Sequence, residues 1–169
     1  MHARNSKSVR VETLLLQSYL AFIKNSVGSK AFQEFYCLVN GKKLEVLQRG
    51  RVSCAFYLTS VLKIFSLVKN IQITIHRALD EMERSGWRRI HKPRVGAIIV
   101  WEEIKSDKDK NSKIFASSHK HMGFFVGNNR AVSTSTKKRV PIEHGLVYSG
   151  GQKSNRKIIA IYWHPRLNN

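Results

Sequence analysis

Between Cys54 and Val68 the apolar residues Ala55, Phe56, Tyr57, Leu58, Val61, Leu62, Ile64, Phe65, Leu67 and Val68 fall on every side of a helix. A helix with one apolar face lies on a surface, whereas one that is apolar all round has to be enclosed by the rest of the chain. This run therefore predicts a central buried helix that the remaining elements must cover. Ser53 stands where a cap is needed, which puts Cys54 in the first helical turn. With 169 residues, 42% of them apolar, the chain has enough material for one domain with a proper core and too little for two. Residues 1–169 are expected to form a single unit.

Upstream, Val11, Leu14, Leu15, Tyr19, Phe22 and Ile23 recur at helical spacing and predict an amphipathic helix ending before Gly28. Ala31, Phe32, Phe35 and Tyr36 suggest a second, short helix, Asn40-Gly41 marks a tight turn and Gly50 a further break. Thr74 is positioned to cap a helix through Ile75, Ala78, Leu79 and Met82, closed by Ser85-Gly86. The periodicity then changes. Val95 to Trp101 reads as a strand, Ser106 to Lys113 as a charged loop, and Met122–Val126 and Ala131–Ser133 as a hairpin around Gly127-Asn128-Asn129. Lys157 to Trp163 gives a last strand, stopped by Pro165. Helices over about 8–86 followed by strands over about 95–164 argue an α+β fold, helices packed on an antiparallel sheet.

Thirty Lys and Arg against eleven Asp and Glu leave a formal charge of +19, far beyond what folding requires. Such an excess implies an anionic partner or anionic surroundings: nucleic acid, cell-wall polymer or lipid headgroups. The basic groups are spread over Lys42-Lys43, Arg88-Arg89, Lys108 to Lys113 and Lys137-Lys138-Arg139, a cationic surface rather than a basic arm, so nucleic acid rests on charge alone. Arg10, Glu12, Gln17 and Ser18 interrupt Val9 to Lys24, unlike a signal peptide, and no apolar segment approaches the length of a membrane span. A monomer is expected. Its place is the wall or extracellular space if it acts on the wall, and the cytoplasm otherwise. Two cysteines cannot build a multi-bridge scaffold, so both thiols are read as reduced, with Cys37 a buried bystander.

A thiol is a nucleophile as thiolate, and a helix N-terminus favours that form because backbone N–H groups point at it. An imidazole at the start of a strand, His121, completes a nucleophile and base if the central helix packs on the sheet. His121 then needs a partner on its other ring nitrogen. Ser133, across the hairpin, is the first candidate, although a hydroxyl orients an imidazole less firmly than a carboxylate, histidine or asparagine; Ser135 and His144 are the alternatives. Taken without them, Ser133 reads as an ordinary exposed strand residue. His119 and His121, two apart on a strand, would face the same way and offer half a metal site, but no companion ligands stand at recognisable spacing.

Ser53-Cys54-Ala55-Phe56, Val95-Gly96-Ala97-Ile98-Ile99-Val100-Trp101 and His121-Met122-Gly123-Phe124-Phe125-Val126-Gly127-Asn128 together resemble the NlpC-type and CHAP-type papain-like peptidoglycan hydrolases. In that superfamily a cysteine opens a buried helix, a Gly-Asp-x-x-x-Trp-like strand follows, and a strand beginning His-x-Gly runs into a Gly-Asn turn. Order and rough spacing agree across residues 50–133. The longer pattern, from Asn25-Ser26-Val27-Gly28-Ser29-Lys30 through Gly86-Trp87 to Ile161-Tyr162-Trp163-His164-Pro165, looks like a compact branch of the superfamily from small-genome bacteria. The resemblance implies a papain-like fold, Cys54 as nucleophile, His121 as base and Ser133 as third member, where relatives carry His, Asn, Gln or an acid. Ala97 replaces the usual aspartate of the Gly-Asp strand. The implied activity is cleavage of an amide in the peptidoglycan stem peptide through an acyl-enzyme, with no cofactor and an anionic wall polymer as partner. Two rival readings predict different behaviour. A non-catalytic basic module for wall polymer or nucleic acid would be indifferent to Cys54→Ala, and a thiol-dependent deamidase or acyltransferase would leave peptidoglycan intact.

Overall fold

The computed structural model describes residues 9–103, 120–147 and 156–168. Among these residues the architecture is α+β: three α-helices, a two-stranded hairpin and a six-stranded antiparallel sheet. Helices α1 (Leu15–Asn25), α2 (Cys54–Ile64) and α3 (Ile75–Arg84) precede the main strands β3 (Arg88–Arg89), β4 (Ile98–Trp101), β5 (His121–Gly127), β6 (Arg130–Thr134), β7 (Pro141–Gly145) and β8 (Ile158–Trp163). Spatially the order is β3-β8-β4-β5-β6-β7, so the last strand lies inside the sheet between β3 and β4. No helix among the described residues is long and apolar enough to cross a membrane.

The central helix is enclosed as its sequence requires. Every residue from Ala55 to Leu62 is buried, and α2 lies across β5 and β6. It stops earlier than the apolar run does: Ile64 is 56% exposed, Ser66 takes a positive φ of 54°, and the Leu67 amide returns to the Leu62 carbonyl at 2.8 Å. Leu67 and Val68 are thus core residues of the following turn rather than of the helix. Alternation along β5 and β6 divides the sheet's two faces. Met122, Phe124 and Val132 join the main core beneath α2, while Phe125 and Ala131 pack with Ile99 and Trp101 on the other side. Phe124 is the joint of the main core. Its ring meets Tyr57 of α2 at 5.5 Å and Tyr19 of α1 at 5.7 Å, both edge-on. Both tyrosine hydroxyls are buried but bonded, Tyr19 to the Gly96 carbonyl and Tyr57 to the Ser26 hydroxyl.

Several expectations are corrected. Helix α1 begins at Leu15 rather than at Val11; among the described residues Val9 and Val11 stay 87% and 85% exposed, so they add no buried apolar surface to a longer helix. No helix forms over 31–36: Phe32 packs in a turn, and β1 (Tyr36–Val39) pairs with β2 (Lys42–Glu45) around Asn40-Gly41, both at positive φ. Ser53 and Thr74 hold the N-cap positions of α2 and α3 without a side-chain cap bond. The predicted hairpin is present, and Asn128 and Asn129 adopt the two positive φ values its short turn demands. The charged segment 106–113 lies outside the described residues.

Removing the Phe124 ring takes away contacts from α1, α2 and β5 together. Phe124→Ala is expected to cost about 3–5 kcal/mol in urea unfolding, whereas Ile64→Ala, at the exposed end of α2, should stay within about 0.5 kcal/mol.

Candidate functional site

Two close backbone approaches press together the chain segments that carry the candidate residues. Gly50, at φ +84°, sits hard against the Arg139 carbonyl, so the segment leading into α2 is pressed onto the connection between β6 and β7. Gly123 plays the same part between strands. A methyl group there would lie 2.6 Å from both the Ser133 side chain and the Val132 carbonyl, so only glycine lets β6 come this close beside His121. The glycine of the His-x-Gly pattern is the sequence signal for that approach.

Cys54 is the first residue of α2 and is half-buried with a free thiol; Cys37 is also free and half-buried, packed against the main core. Ser53 turns its hydroxyl back to the Gly50 carbonyl at 3.0 Å, so it does not compete for the first-turn amides. The sulfur instead interacts with the backbone of Ala55, Met122 and Cys54 itself. Met122 adjoins His121, which places the thiol beside the strand end that carries the imidazole.

His121 is buried, and its Nε2 is 2.8 Å from Ser133 Oγ. Ser133 is wholly enclosed, which corrects the reading of it as an exposed strand residue. Its oxygen is also 2.7 Å from Nε2 of His144, whose Nδ1 lies 2.7 Å from the Gly145 carbonyl. Ser133 and His144, two of the three alternatives for the third position, are thus hydrogen-bonded in series, whereas Ser135 Oγ accepts the Lys138 amide within its own turn. Over this row lies Trp101, fully buried, with ring centroids 5.7 Å from His121 and 5.6 Å from His144. Its Nε1–H donates to the Leu146 carbonyl. In the sequence Trp101 stands as the tryptophan that closes the Gly-Asp-x-x-x-Trp-like strand; its cover over both imidazoles depends on a β4–β5 register that pairs it with His121.

Burial governs the charge state. It pushes the Cys54 thiol up to about 11, against the backbone hydrogen bonds and the cation of Arg156, which pull the other way. Burial, the Arg156 charge and His144, in that order, push the His121 imidazole down to about 3. His144 is likewise lowered, chiefly by burial, with the Gly145 carbonyl working against the shift. The resting pair is thus a neutral thiol and a neutral imidazole, with about one molecule in ten thousand carrying thiolate at neutral pH. Attack then requires the proton to leave sulfur for the imidazole as the new bond forms.

Among the described residues no group of three or more His, Cys, Asp or Glu is arranged to hold a metal ion, and His119 lies outside the described residues. Of the other described histidines, His76 pairs with Asp80 at 3.5 Å and His164 with the Ser85 carbonyl at 3.0 Å. No protein-family model matches this chain, and no curated protein matches it either.

A thiol raised to about 11 is protonated below that value and gains reactivity as pH climbs towards it. Alkylation of Cys54 by iodoacetamide, read by mass spectrometry, should therefore rise about tenfold per pH unit from neutrality to pH 10. A rate that is flat from acid through neutral pH would instead mean a resting thiolate–imidazolium pair.

Proposed function

We propose that this protein is a papain-like cysteine hydrolase of the NlpC/CHAP type, cleaving amide bonds in the stem peptides of peptidoglycan. One observation carries the reading. A free thiol at the N-terminus of an enclosed helix meets the backbone beside a buried imidazole, and that imidazole is held on Nε2 by Ser133. In this mechanism Cys54 Sγ attacks the amide carbonyl while its proton passes to His121, and the imidazolium returns that proton to the leaving amine. Water then hydrolyses the thioester with His121 again acting as base. The Cys54 amide, with that of Ala55 beside it, is the donor for the oxyanion, since these first-turn groups already face the sulfur.

The charge of +19 supports a polyanionic substrate, because a cationic surface raises encounter rate and residence on an anionic wall. Arg156 adds to this locally, as its charge reaches both Cys54 and His121 and favours a developing negative charge at the site.

Purified peptidoglycan incubated with the protein should release stem-peptide fragments identifiable by mass spectrometry. Cys54→Ala should abolish release, and His121→Ala should lower the rate by about 10²–10⁴-fold. Intact peptidoglycan together with Cys54-dependent turnover of a different amide or ester would move the substrate to another acyl class. Salt-sensitive polymer binding without any Cys54-dependent reaction would make the protein a binding module.

A further inference from the structure

A hydroxyl is a poor third member for a triad because it can donate or accept, so on its own it does not choose which nitrogen of the imidazole carries the proton. The surroundings of Ser133 remove that freedom. The Gly145 carbonyl can only accept, so Nδ1 of His144, 2.7 Å away, must carry a hydrogen. His144 is buried enough to favour its neutral form, and a neutral ring protonated on Nδ1 has a lone pair on Nε2. Ser133 must therefore spend its single hydrogen on His144 Nε2, at 2.7 Å. Its oxygen can then meet His121 Nε2, at 2.8 Å, only as an acceptor. His121 is thereby forced to hold its proton on Nε2 and its lone pair on Nδ1, the nitrogen a thiol must reach.

We propose that His144 is a positioning residue which, acting through Ser133, sets the tautomer of His121, so that the working unit is Cys54-His121-Ser133-His144 anchored on the Gly145 carbonyl. The inference rests on the thiol–imidazole reading above and assigns His144 a part in it. No proton travels along the row. When Cys54 attacks, the proton moves from Sγ to His121 Nδ1, and the positive charge on the ring strengthens the Nε2–H bond to Ser133, whose oxygen is already polarised by donating to His144. Trp101, itself fully buried, packs against both rings and covers the row on that side.

The test is ¹⁵N NMR of histidine-labelled protein at neutral pH, which reports the tautomer of each ring without any substrate. Wild-type protein should show His121 protonated on Nε2 and His144 on Nδ1. His144→Phe should shift His121 towards Nδ1 protonation, because Ser133 is then released to donate to it, whereas His144→Gln, which keeps an acceptor for Ser133, should restore the wild-type state. In a Ser133→Ala background, adding His144→Phe should change nothing further. On hydrolysis, His144→Phe should lower kcat by about 10–100-fold, in the range for outer partners of a reactive group, with KM little changed. Wild-type His121 protonated on Nδ1, or a His144→Phe effect as large without Ser133 as with it, would overturn the relay. Should the tautomers follow the proposal while peptidoglycan stays intact, the relay stands and the substrate assignment falls.

Discussion

The need to enclose α2 on all sides sets most of this architecture. Once β5 and β6 run beneath the helix and α1 is fastened through Tyr19, Tyr57 and Phe124, α2 has no exposed flank and presents chiefly its ends. Cys54 occupies the N-terminal end, where first-turn amides are directed at its sulfur. The strands that cover the helix with Met122, Phe124 and Val132 carry His121 and Ser133 at the alternate positions, so the packing that stabilises the core also lines up the polar row behind it. Gly50 against Arg139 and Gly123 against Ser133 then bring backbones together where any side chain would hold them apart.

The same enclosure opposes charge at the site. A buried thiol is driven up and a buried imidazole down, so the resting state is neutral although the whole protein is strongly cationic. Among the described residues, compensation comes from fixed dipoles and a nearby cation: the backbone of Ala55, Met122 and Cys54, and Arg156. Such groups act on charge as it develops and need little reorganisation when it does. The exposed Arg130–Glu143 pair beside His144, at 2.8 Å, is by contrast worth no more than about 1 kcal/mol.

The elements legible in the sequence were those with strong periodicity or distinctive turn chemistry. The α2 run, the β5–β6 hairpin around Asn128-Asn129 and the helix ending at Ser85-Gly86 are set by local patterns that tertiary contacts reinforce. What escaped depends on partners far along the chain. Tyr36 and Phe35 have helical spacing, yet Asn40-Gly41 folds Tyr36–Val39 back on Lys42–Glu45. β3 is two arginines whose strand character comes from pairing with β8, some seventy residues later. At the site, Cys54, His121 and Ser133 were visible as residue types in an order. The place of His144 behind Ser133 follows from the β6–β7 register, which no spacing in the sequence declares.

The proposed mechanism passes through an acyl group from the stem peptide on Cys54 Sγ. Acid quenching during turnover of a soluble muropeptide, followed by intact-mass and peptide analysis, tests this most directly. The account predicts a protein fraction heavier by the acyl portion of the stem, with the adduct mapped to Cys54 and absent from Cys54→Ala. Muropeptide cleavage that continues undiminished in Cys54→Ala would contradict it.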